Sequence, residues 1–392
     1  MGSGLDVLLV VAMLLFAVSG YRQGLLVGAL SFAGFFGGGF LGTQIAAPIA
    51  TRMASGTAQP AVGIFVVLAM ASIGQLVALA IGHALRKRLS WKAARALDST
   101  GGAIVSAVAV MLVAWLVATP LASSGYPFLA SQVRRSVIIR AVDGIVPDPV
   151  RGLYDSFRRL LDHGDFPDVF GPLSPTRVAP VEPPDPAILG SRAVTVARPS
   201  VLKIVGTAPS CSRRLEGSGF VYAPEHVMTN AHVVAGVREL DVQVGGDRMT
   251  GRVVLYDAER DVAVIYVPGL NRQALPFAAT VGPGTSAVVA GYPLDGPFNA
   301  VAARVRSLQE VRGPDIYNTH QVVRQVYALR ANVRSGNSGG PLLSSSGTVL
   351  GMVFAAAADE PDTGFALTAS EIGSDAKAAA TATRRVSTQN CD

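Results

Sequence analysis

Charged residues are scarce in this chain, and their distribution is uneven. Only 15% of the 392 residues are charged, whereas a typical soluble domain contains about 25%. The first 122 residues contain two acidic side chains, Asp6 and Asp98, against seven basic ones. A nucleic-acid-binding platform concentrates positive charge on a polar domain, and a disordered chain is poor in apolar residues, yet half of this chain is hydrophobic. The sequence therefore excludes both classes and predicts no nucleic-acid partner.

Four hydrophobic runs fill the first 122 residues, at 5–19, 24–43, 61–85 and 101–121. A transmembrane helix needs about 20 apolar residues, with ~17 near the lower limit, so only the first run is marginal. We interpret it as a retained helix rather than a signal peptide, because no basic segment precedes it and further runs follow. Residues 1–122 are predicted to form a four-span domain in the lipid bilayer of the plasma membrane.

Basic residues between the spans predict their orientation. The densest basic loop contains Arg86, Lys87 and Arg88 with Lys92 and Arg95. Such loops stay in the cytoplasm, so the N-terminus and everything after residue 121 are expected on the external, periplasmic side. We expect no charge pair within the bundle, and this argues against a transporter.

Glycines recur every four residues in two series, at positions 20, 24 and 28 and at positions 34, 38 and 42. Small residues at this spacing line one helix face and let a neighbouring helix approach closely. Together with Asp6, the segment Gly20-Tyr21-Arg22-Gln23-Gly24 resembles the colicin V production protein family, which implies a four-span membrane module.

The remainder of the chain divides into three parts. Residues 123–165 have the periodicity of short juxtamembrane amphipathic helices. Seven prolines between residues 166 and 186 favour an extended, semi-rigid linker over 166–194. Short β-type runs broken by Gly, Pro, Asn and Asp then predict an external all-β domain over 195–392.

One segment of the β domain has the composition of a nucleophile turn. Gly336-Asn337-Ser338-Gly339-Gly340-Pro341 places a serine among glycines, a pattern that also occurs in plain surface turns. An acyl-transfer nucleophile needs this setting, because its hydroxyl must project from a tight turn whose backbone N–H groups converge where the oxyanion forms. We therefore predict Ser338 as the nucleophile.

A general base and its carboxylate partner follow from the same reasoning. Of the five histidines, only His232 follows a predicted strand and has apolar neighbours that could fix its ring, whereas His226 is placed in a polar turn. Asp261 stands at the head of an otherwise apolar strand, and a buried carboxylate needs a partner. His232 would supply one by donating from Nδ1, although Asp261 could also be an ordinary loop acid.

The order His232, Asp261, Ser338 is that of chymotrypsin-type proteases. Residues 195–392 resemble a trypsin-like serine protease of the HtrA type through the strings SGFVY, TNAHVV, DVAVIYV and GNSGGPL. The resemblance implies two β-barrels with the triad in the cleft between them, and an oxyanion hole formed by the N–H groups of Gly336 and Ser338. It also implies a substrate pocket lined by Asn332, Phe354, Ala355 and Ala356.

Over the whole chain, four spans, a proline-rich linker and this protease domain resemble the family of membrane-anchored acid-resistance serine proteases. The resemblance implies a periplasmic endopeptidase that cleaves proteins of the cell envelope through a Ser-His-Asp acyl-enzyme, in resistance to acid or oxidative stress. Only 54 residues follow Ser338, too few for the PDZ domain of HtrA proteases. Because an unperturbed imidazole has a pKa of about 6.5, we expect hydrolysis to slow in acid.

Both cysteines, Cys211 and Cys391, lie in the external domain, where an oxidising compartment favours a disulfide between them over two free thiols. No metal ion and no cofactor are predicted. Two other functions stay open. The chain could be a transport or scaffold protein whose protease-like domain only binds peptides, or an enzyme that stays inactive until its linker is cleaved or its disulfide forms.

Overall fold

The computed structural model describes residues 3–53, 59–88, 91–122, 127–146, 169, 176, 178–209, 213–360 and 362–391. The chain divides into two compact units. The first comprises Met1–Ala118 and Arg135–Ser156 and is helical, and the second comprises Thr119–Arg134 and Phe157–Asp392 and is mainly β-structure.

Among the described residues, six helices lie before residue 147: α1 (Gly4–Gln23), α2 (Leu25–Met53), α3 (Gln59–Lys87), α4 (Lys92–Ala122), α5 (Pro127–Arg135) and α6 (Val137–Ile145). The first four each contain a segment long and apolar enough to cross a membrane: Gly4–Gln23, Leu25–Ile45, Phe65–Lys87 and Lys92–Thr119. The prediction of four N-terminal membrane helices is confirmed. It could be made from the sequence because the hydropathy and length of a helix are properties of one continuous segment.

Glycines bring α2 and α3 together. A Cβ atom on Gly34 would collide with the carbonyl oxygen of Gly74, and one on Gly38 would collide with that of Met70. The two helices therefore approach too closely for any larger residue on this face. A Cβ on Gly28 would meet nothing within 4 Å, so the four-residue spacing overstates the contact at that end.

An ion pair joins α3 to α4, contrary to the expectation of no charge pair among the spans. The Arg86 Nε lies 2.9 Å from Asp98 Oδ2, and Asp98 Oδ1 accepts a hydrogen bond of 2.8 Å from the Leu26 backbone amide. The sequence pattern hid this pair because its members lie in different helices. Arg86 thus contributes to packing as well as to the basic loop.

The acid at the start of α1 caps α6. Asp6 accepts hydrogen bonds of 3.2 Å from the backbone amides of Val137 and Ile138, and Ser136 accepts one of 3.1 Å from Ile139. The orphan donors at the N-terminus of α6 are thereby satisfied. At the other end of α6, Asp143 accepts a hydrogen bond of 3.0 Å from the Trp115 indole.

The described residues of the second unit form twelve strands and two further helices: α7 (Arg192–Ala197), β1 (Val201–Ala208), β2 (Arg213–Ala223), β3 (His226–Thr229), β4 (Glu239–Val244), β5 (Asp247–Asp257), β6 (Val262–Tyr266), β7 (Ser286–Gly291), β8 (Asn299–Pro314), β9 (Gln321–Arg330), β10 (Pro341–Leu343), β11 (Val349–Ala356), β12 (Thr363–Thr368) and α8 (Ala369–Ala379). Antiparallel pairing closes β1-β2-β3-β6-β5-β4 into one barrel and β7-β8-β9-β12-β11-β10 into another. The predicted chymotrypsin-like double barrel is confirmed.

The barrels share a hydrophobic core. Phe220 of β2, Phe354 of β11 and Ile372 of α8 belong to one cluster of buried side chains. Because a packed core tolerates little displacement, this cluster holds residues from the two barrels in a defined relation. The long strand β8 carries arginine, glutamine and glutamate side chains that interrupt its apolar pattern.

The described part of the proline-rich linker is bound to the second barrel. Arg306 donates a hydrogen bond of 3.1 Å to the carbonyl of Ala179, and Arg330 donates one of 2.7 Å to that of Val181. Both guanidinium groups also contact Asp362, at 2.9 and 3.1 Å. These residues of the predicted extended, semi-rigid linker therefore run along the barrel. Most of residues 166–175 lie outside the described residues.

Candidate active site

The pairing of β3 with β6 brings His232 to Asp261. His232 opens the 3₁₀ turn His232–Val234 just after β3, and Asp261 directly precedes β6. The His232 Nδ1 lies 2.8 Å from Asp261 Oδ2, and the His232 backbone amide donates to Oδ1 at 3.0 Å. Asp261 is completely buried and His232 is 8% exposed. With Nδ1–H donating, Nε2 is the ring nitrogen that can accept a proton.

Asp261 has a strained backbone that its neighbours hold in place. Its φ of 61° is in the left-handed region, which is costly for a residue with a Cβ. The Asn230 side chain donates a hydrogen bond of 2.8 Å to the carbonyl of Asp261, and Arg324 donates one of 2.7 Å to that of Glu259. Strain of this kind persists only where the surroundings over-determine the conformation, as they do around functional groups.

Ser338 lies in the turn between β9 and β10, and this turn contacts strand β2 of the first barrel. Its carbonyl accepts a hydrogen bond of 2.8 Å from the amide of Ser218 on β2. A Cβ on Gly217 would touch both the side chain of Val233 and the carbonyl of Ser338, at 3.2 Å from the latter. The hydroxyl is buried and has no hydrogen-bond partner in the part of the chain that the structure describes.

The peptide groups around Ser338 are oriented by their carbonyls. The Ser335 carbonyl accepts a hydrogen bond of 2.8 Å from Leu294, and the Asn337 carbonyl accepts one of 2.9 Å from Gly340. In a trans peptide the C=O and N–H groups point in opposite directions, so the amides of Gly336 and Ser338 point away from these partners. Neither amide donates to another described residue. An oxyanion requires N–H donors that converge on it, and these two amides are the predicted pair.

The four predicted pocket residues differ in their surroundings. Asn332 is exposed and Ala356 is half-buried, whereas Phe354 is 1% exposed and Ala355 is fully buried. The side chains of Phe354 and Ala355 belong to the shared core, and the role of all four residues in a substrate pocket stays a prediction. The β11–β12 pairing shifts its register between Val353 and Ala355.

Some residues near the site were not predicted from the sequence, and His226 was placed incorrectly. Lys203 has no distinctive local pattern, and Ser218 opens the string SGFVY but was not predicted as a site residue, although both contact the Ser338 region or its neighbours. His226 is buried at the start of β3 and contacts two carbonyls, at 2.6 Å (Pro224) and 2.9 Å (Ala382), which corrects its placement in a polar turn. Cys211 lies outside the described residues, so its pairing with Cys391 stays a prediction.

Asp375 on α8 is a buried carboxylate that does not belong to the predicted triad. It is 8% exposed, and its Oδ2 has no hydrogen-bond partner among the described residues. Burial raises the pKa of Asp375 to about 6, and the nearby charges of Asp257 and Glu371 add to this, while Arg260 opposes it. At neutral pH the carboxylate is still mostly ionised, but its ionised form is less favourable than that of an exposed aspartate.

We expect Asp375→Asn to stabilise the protein more at pH 7.5 than at pH 4.5. A carboxyl whose pKa is raised in the folded state binds its proton there first, so stability rises as pH falls from above 6 towards 3.8. Asp375→Asn lacks this pH dependence. Its gain in free energy of unfolding over the parent should therefore be about 2 kcal/mol larger at pH 7.5 than at pH 4.5. Melting temperatures of the full chain in detergent at both pH values measure it, with exposed Asp247→Asn as the control. An equal offset at both pH values would contradict the prediction.

Similarity to known proteins agrees with this geometry. Residues 217–352 match the trypsin-like peptidase domain family, and residues 5–147 match the colicin V production protein family. The chain is 39% identical to the serine protease Rv3671c of Mycobacterium tuberculosis over 371 residues, 94% of each chain. It is 29% identical to the chloroplastic Protease Do-like 1 of Arabidopsis thaliana over 167 residues, 40% of this chain and 37% of that one.

A solved structure, the active form of the Rv3671c protease, superposes on this chain with a TM-score of 0.54. The superposition covers 56% of this chain and 96% of the Rv3671c protease chain in that structure, at 47% sequence identity. The identity over nearly the whole length, the two matching domain families and the double barrel lead to one conclusion. This chain belongs to the Rv3671c (MarP) family of membrane-associated, trypsin-like serine endopeptidases.

Proposed function

We propose that the chain is a membrane-anchored endopeptidase that cleaves proteins of the cell envelope with Ser338 as nucleophile, His232 as base and Asp261 as the acceptor that orients His232. The observation that carries the proposal is the buried His232–Asp261 pair. It leaves Nε2 as the basic nitrogen, beside a glycine-rich turn that presents a buried serine hydroxyl without a partner among the described residues. In the absence of substrate, the bond between nucleophile and base is often long and tightens only in the complex.

The proposed reaction proceeds through an acyl-enzyme. The Ser338 Oγ forms a bond to the peptide carbonyl carbon while its proton moves to His232 Nε2, and the carbonyl oxygen becomes an oxyanion held by the amides of Gly336 and Ser338. The C–N bond then breaks, and His232 gives its proton to the leaving amine. Water then attacks the ester through the same steps, so the peptide carboxylic acid is released and the Ser338 hydroxyl is restored.

The location and biological role are part of the proposal. The basic loop after α3 supports an external, periplasmic β domain. An oxidising compartment would allow the Cys211–Cys391 disulfide, and no cysteine in the described part of the chain is free. The family resemblance supports a role in resistance to acid or oxidative stress. Protein substrates and the lipid bilayer are the expected partners.

A fluorophosphonate probe on the full chain in detergent tests the proposal. The serine Oγ bonds to phosphorus, fluoride leaves, and the proton passes to His232, so the parent chain should be labelled at Ser338. Ser338→Ala should not be labelled, while Ser345→Ala, which removes an exposed serine, should be labelled like the parent. An unlabelled parent chain would instead favour the peptide-binding scaffold, and labelling of Ser338→Ala would exclude Ser338 as the nucleophile.

A further inference from the structure

Backbone strain is concentrated in a turn that faces the Ser338 loop. Six non-glycine residues in the described part of the chain have positive φ, and Leu294 and Asp295 are adjacent members of this set, both at 56°. Each left-handed residue costs about 1–2 kcal/mol when it carries a Cβ. Two left-handed residues in succession require contacts from the surrounding structure that hold them, and such contacts are typical of functional sites.

The turn sets the direction of one peptide of the predicted oxyanion hole. The Leu294 amide donates the 2.8 Å hydrogen bond to the Ser335 carbonyl, so the same peptide group directs the Gly336 N–H the opposite way. The two segments also touch, because a Cβ on Gly336 would lie 3.1 Å from the Leu294 nitrogen. If Leu294 moved away, the Ser335–Gly336 peptide would lose the bond that orients it.

A lysine from the other barrel holds this turn. Lys203 on β1 is 7% exposed, an uncommon burial for a lysine, and its Nζ donates a hydrogen bond of 2.6 Å to the Asp295 carbonyl. The same ammonium forms an ion pair with the Asp295 carboxylate. Both contacts act on the residue next to Leu294, so they constrain the left-handed conformation directly.

Ser218 connects the turn and the hole from a third direction. Its hydroxyl accepts a hydrogen bond of 2.9 Å from the Tyr292 amide and donates one of 2.6 Å to the Gly336 carbonyl. The peptide on each side of Gly336 is therefore tied, one through Leu294 and the other through Ser218. The Gly336 amide has little freedom to rotate.

We propose that Lys203 and Asp295 are positioning residues for catalysis, because their ion pair holds the 292–296 turn so that Leu294 directs the Gly336 amide at the developing oxyanion. The proposal rests on the proposed function, since it assigns a role in the same reaction. Neither side chain touches the reacting atoms. Their effect passes through the Leu294–Ser335 hydrogen bond to a single N–H group.

The charges around the pair suit it to acid conditions. The hydrogen bond from Lys203 lowers the pKa of Asp295, so this carboxylate keeps its charge as the pH falls. Burial raises the pKa of the neighbouring Glu216, and the adjacent Asp295 raises it further, while Arg214 and Lys203 oppose the shift. In acid Glu216 is therefore protonated before Asp295.

Steady-state kinetics of Lys203→Met in the full chain tests the proposal. Loss of one oxyanion donor costs about 10²–10³ in kcat, so partial misorientation should lower kcat by about 10- to 100-fold and leave KM nearly unchanged. The affinity for a peptide aldehyde, whose adduct with Ser338 places an oxyanion in the hole, should fall by the same factor. Lys377→Met, at an exposed lysine on α8, is the matched control, and Lys203→Arg should recover most of the loss.

A second variant keeps the test decisive if Lys203→Met fails to fold. Asp295→Asn removes the ion pair at a side chain that is 44% exposed, and it should lower kcat by about 10-fold with a melting temperature close to that of the parent. A folded variant with parental kcat and parental aldehyde affinity, or a loss confined to KM, would overturn the proposal. Failure of the proposed function would look different, because the parent chain itself would then neither hydrolyse peptides nor react with the fluorophosphonate probe.

Discussion

His232→Ala is expected to lower kcat for peptide hydrolysis by about 10⁶-fold, the scale on which a serine protease depends on its base. In this chain the imidazole is positioned by two contacts with Asp261, through Nδ1 and through its own backbone amide. Alanine keeps the backbone contact and removes only the ring. The expected loss therefore reports proton transfer from Ser338 and not disruption of the turn.

Combining the substitution with Ser338→Ala makes the prediction sharper. Residues that act as one unit are strongly non-additive, so the double variant should be no slower than either single variant. His320→Ala removes an exposed imidazole and should retain parental kcat. A His232→Ala variant within about 10-fold of the parent, or further loss in the double variant, would show that the two side chains do not cooperate in one reaction.

Asp261→Asn is expected to lower kcat by about 10⁴-fold, equivalent to about 5 kcal/mol of transition-state stabilisation. The amide oxygen can still accept the His232 backbone amide, as Oδ1 does at 3.0 Å. The amide nitrogen would then face Nδ1 and donate to it, which places the ring proton on Nε2. His232 would present a proton to Ser338 where it must present a lone pair.

Measurement of kcat and of the fluorophosphonate labelling rate checks this prediction, since both require the same proton transfer. Asp247→Asn changes the charge equally at an exposed position and should leave both rates at the parental value. A melting temperature near that of the parent would establish that the strained turn at Asp261 survives. Parental rates in a folded Asp261→Asn variant would reduce Asp261 to an ordinary loop acid.

The features that the sequence predicts depend on neighbouring residues, whereas the features that it misses depend on contacts between distant residues. Hydrophobic runs are local patterns, so the four spans were visible without coordinates. The serine among glycines that predicts Ser338 as the nucleophile is a local pattern of the same kind. The buried start of β3 at His226 was missed because its two hydrogen-bond partners include a carbonyl 156 residues away. Phe354 lies beside an irregularity in the β11–β12 pairing, a feature that no single segment of the sequence specifies.

From the sequence alone came the membrane helices, the all-β class of the second half and the residue types of a serine hydrolase, because each depends on composition and spacing within one segment. Only the tertiary structure decided what surrounds them. Lys203, Asp295 and Ser335 come from distant parts of the chain, and the contacts that join them through Leu294 exist only once both barrels have closed and packed. Long-range contacts of this kind are selected by the whole core, so no single stretch of residues encodes them.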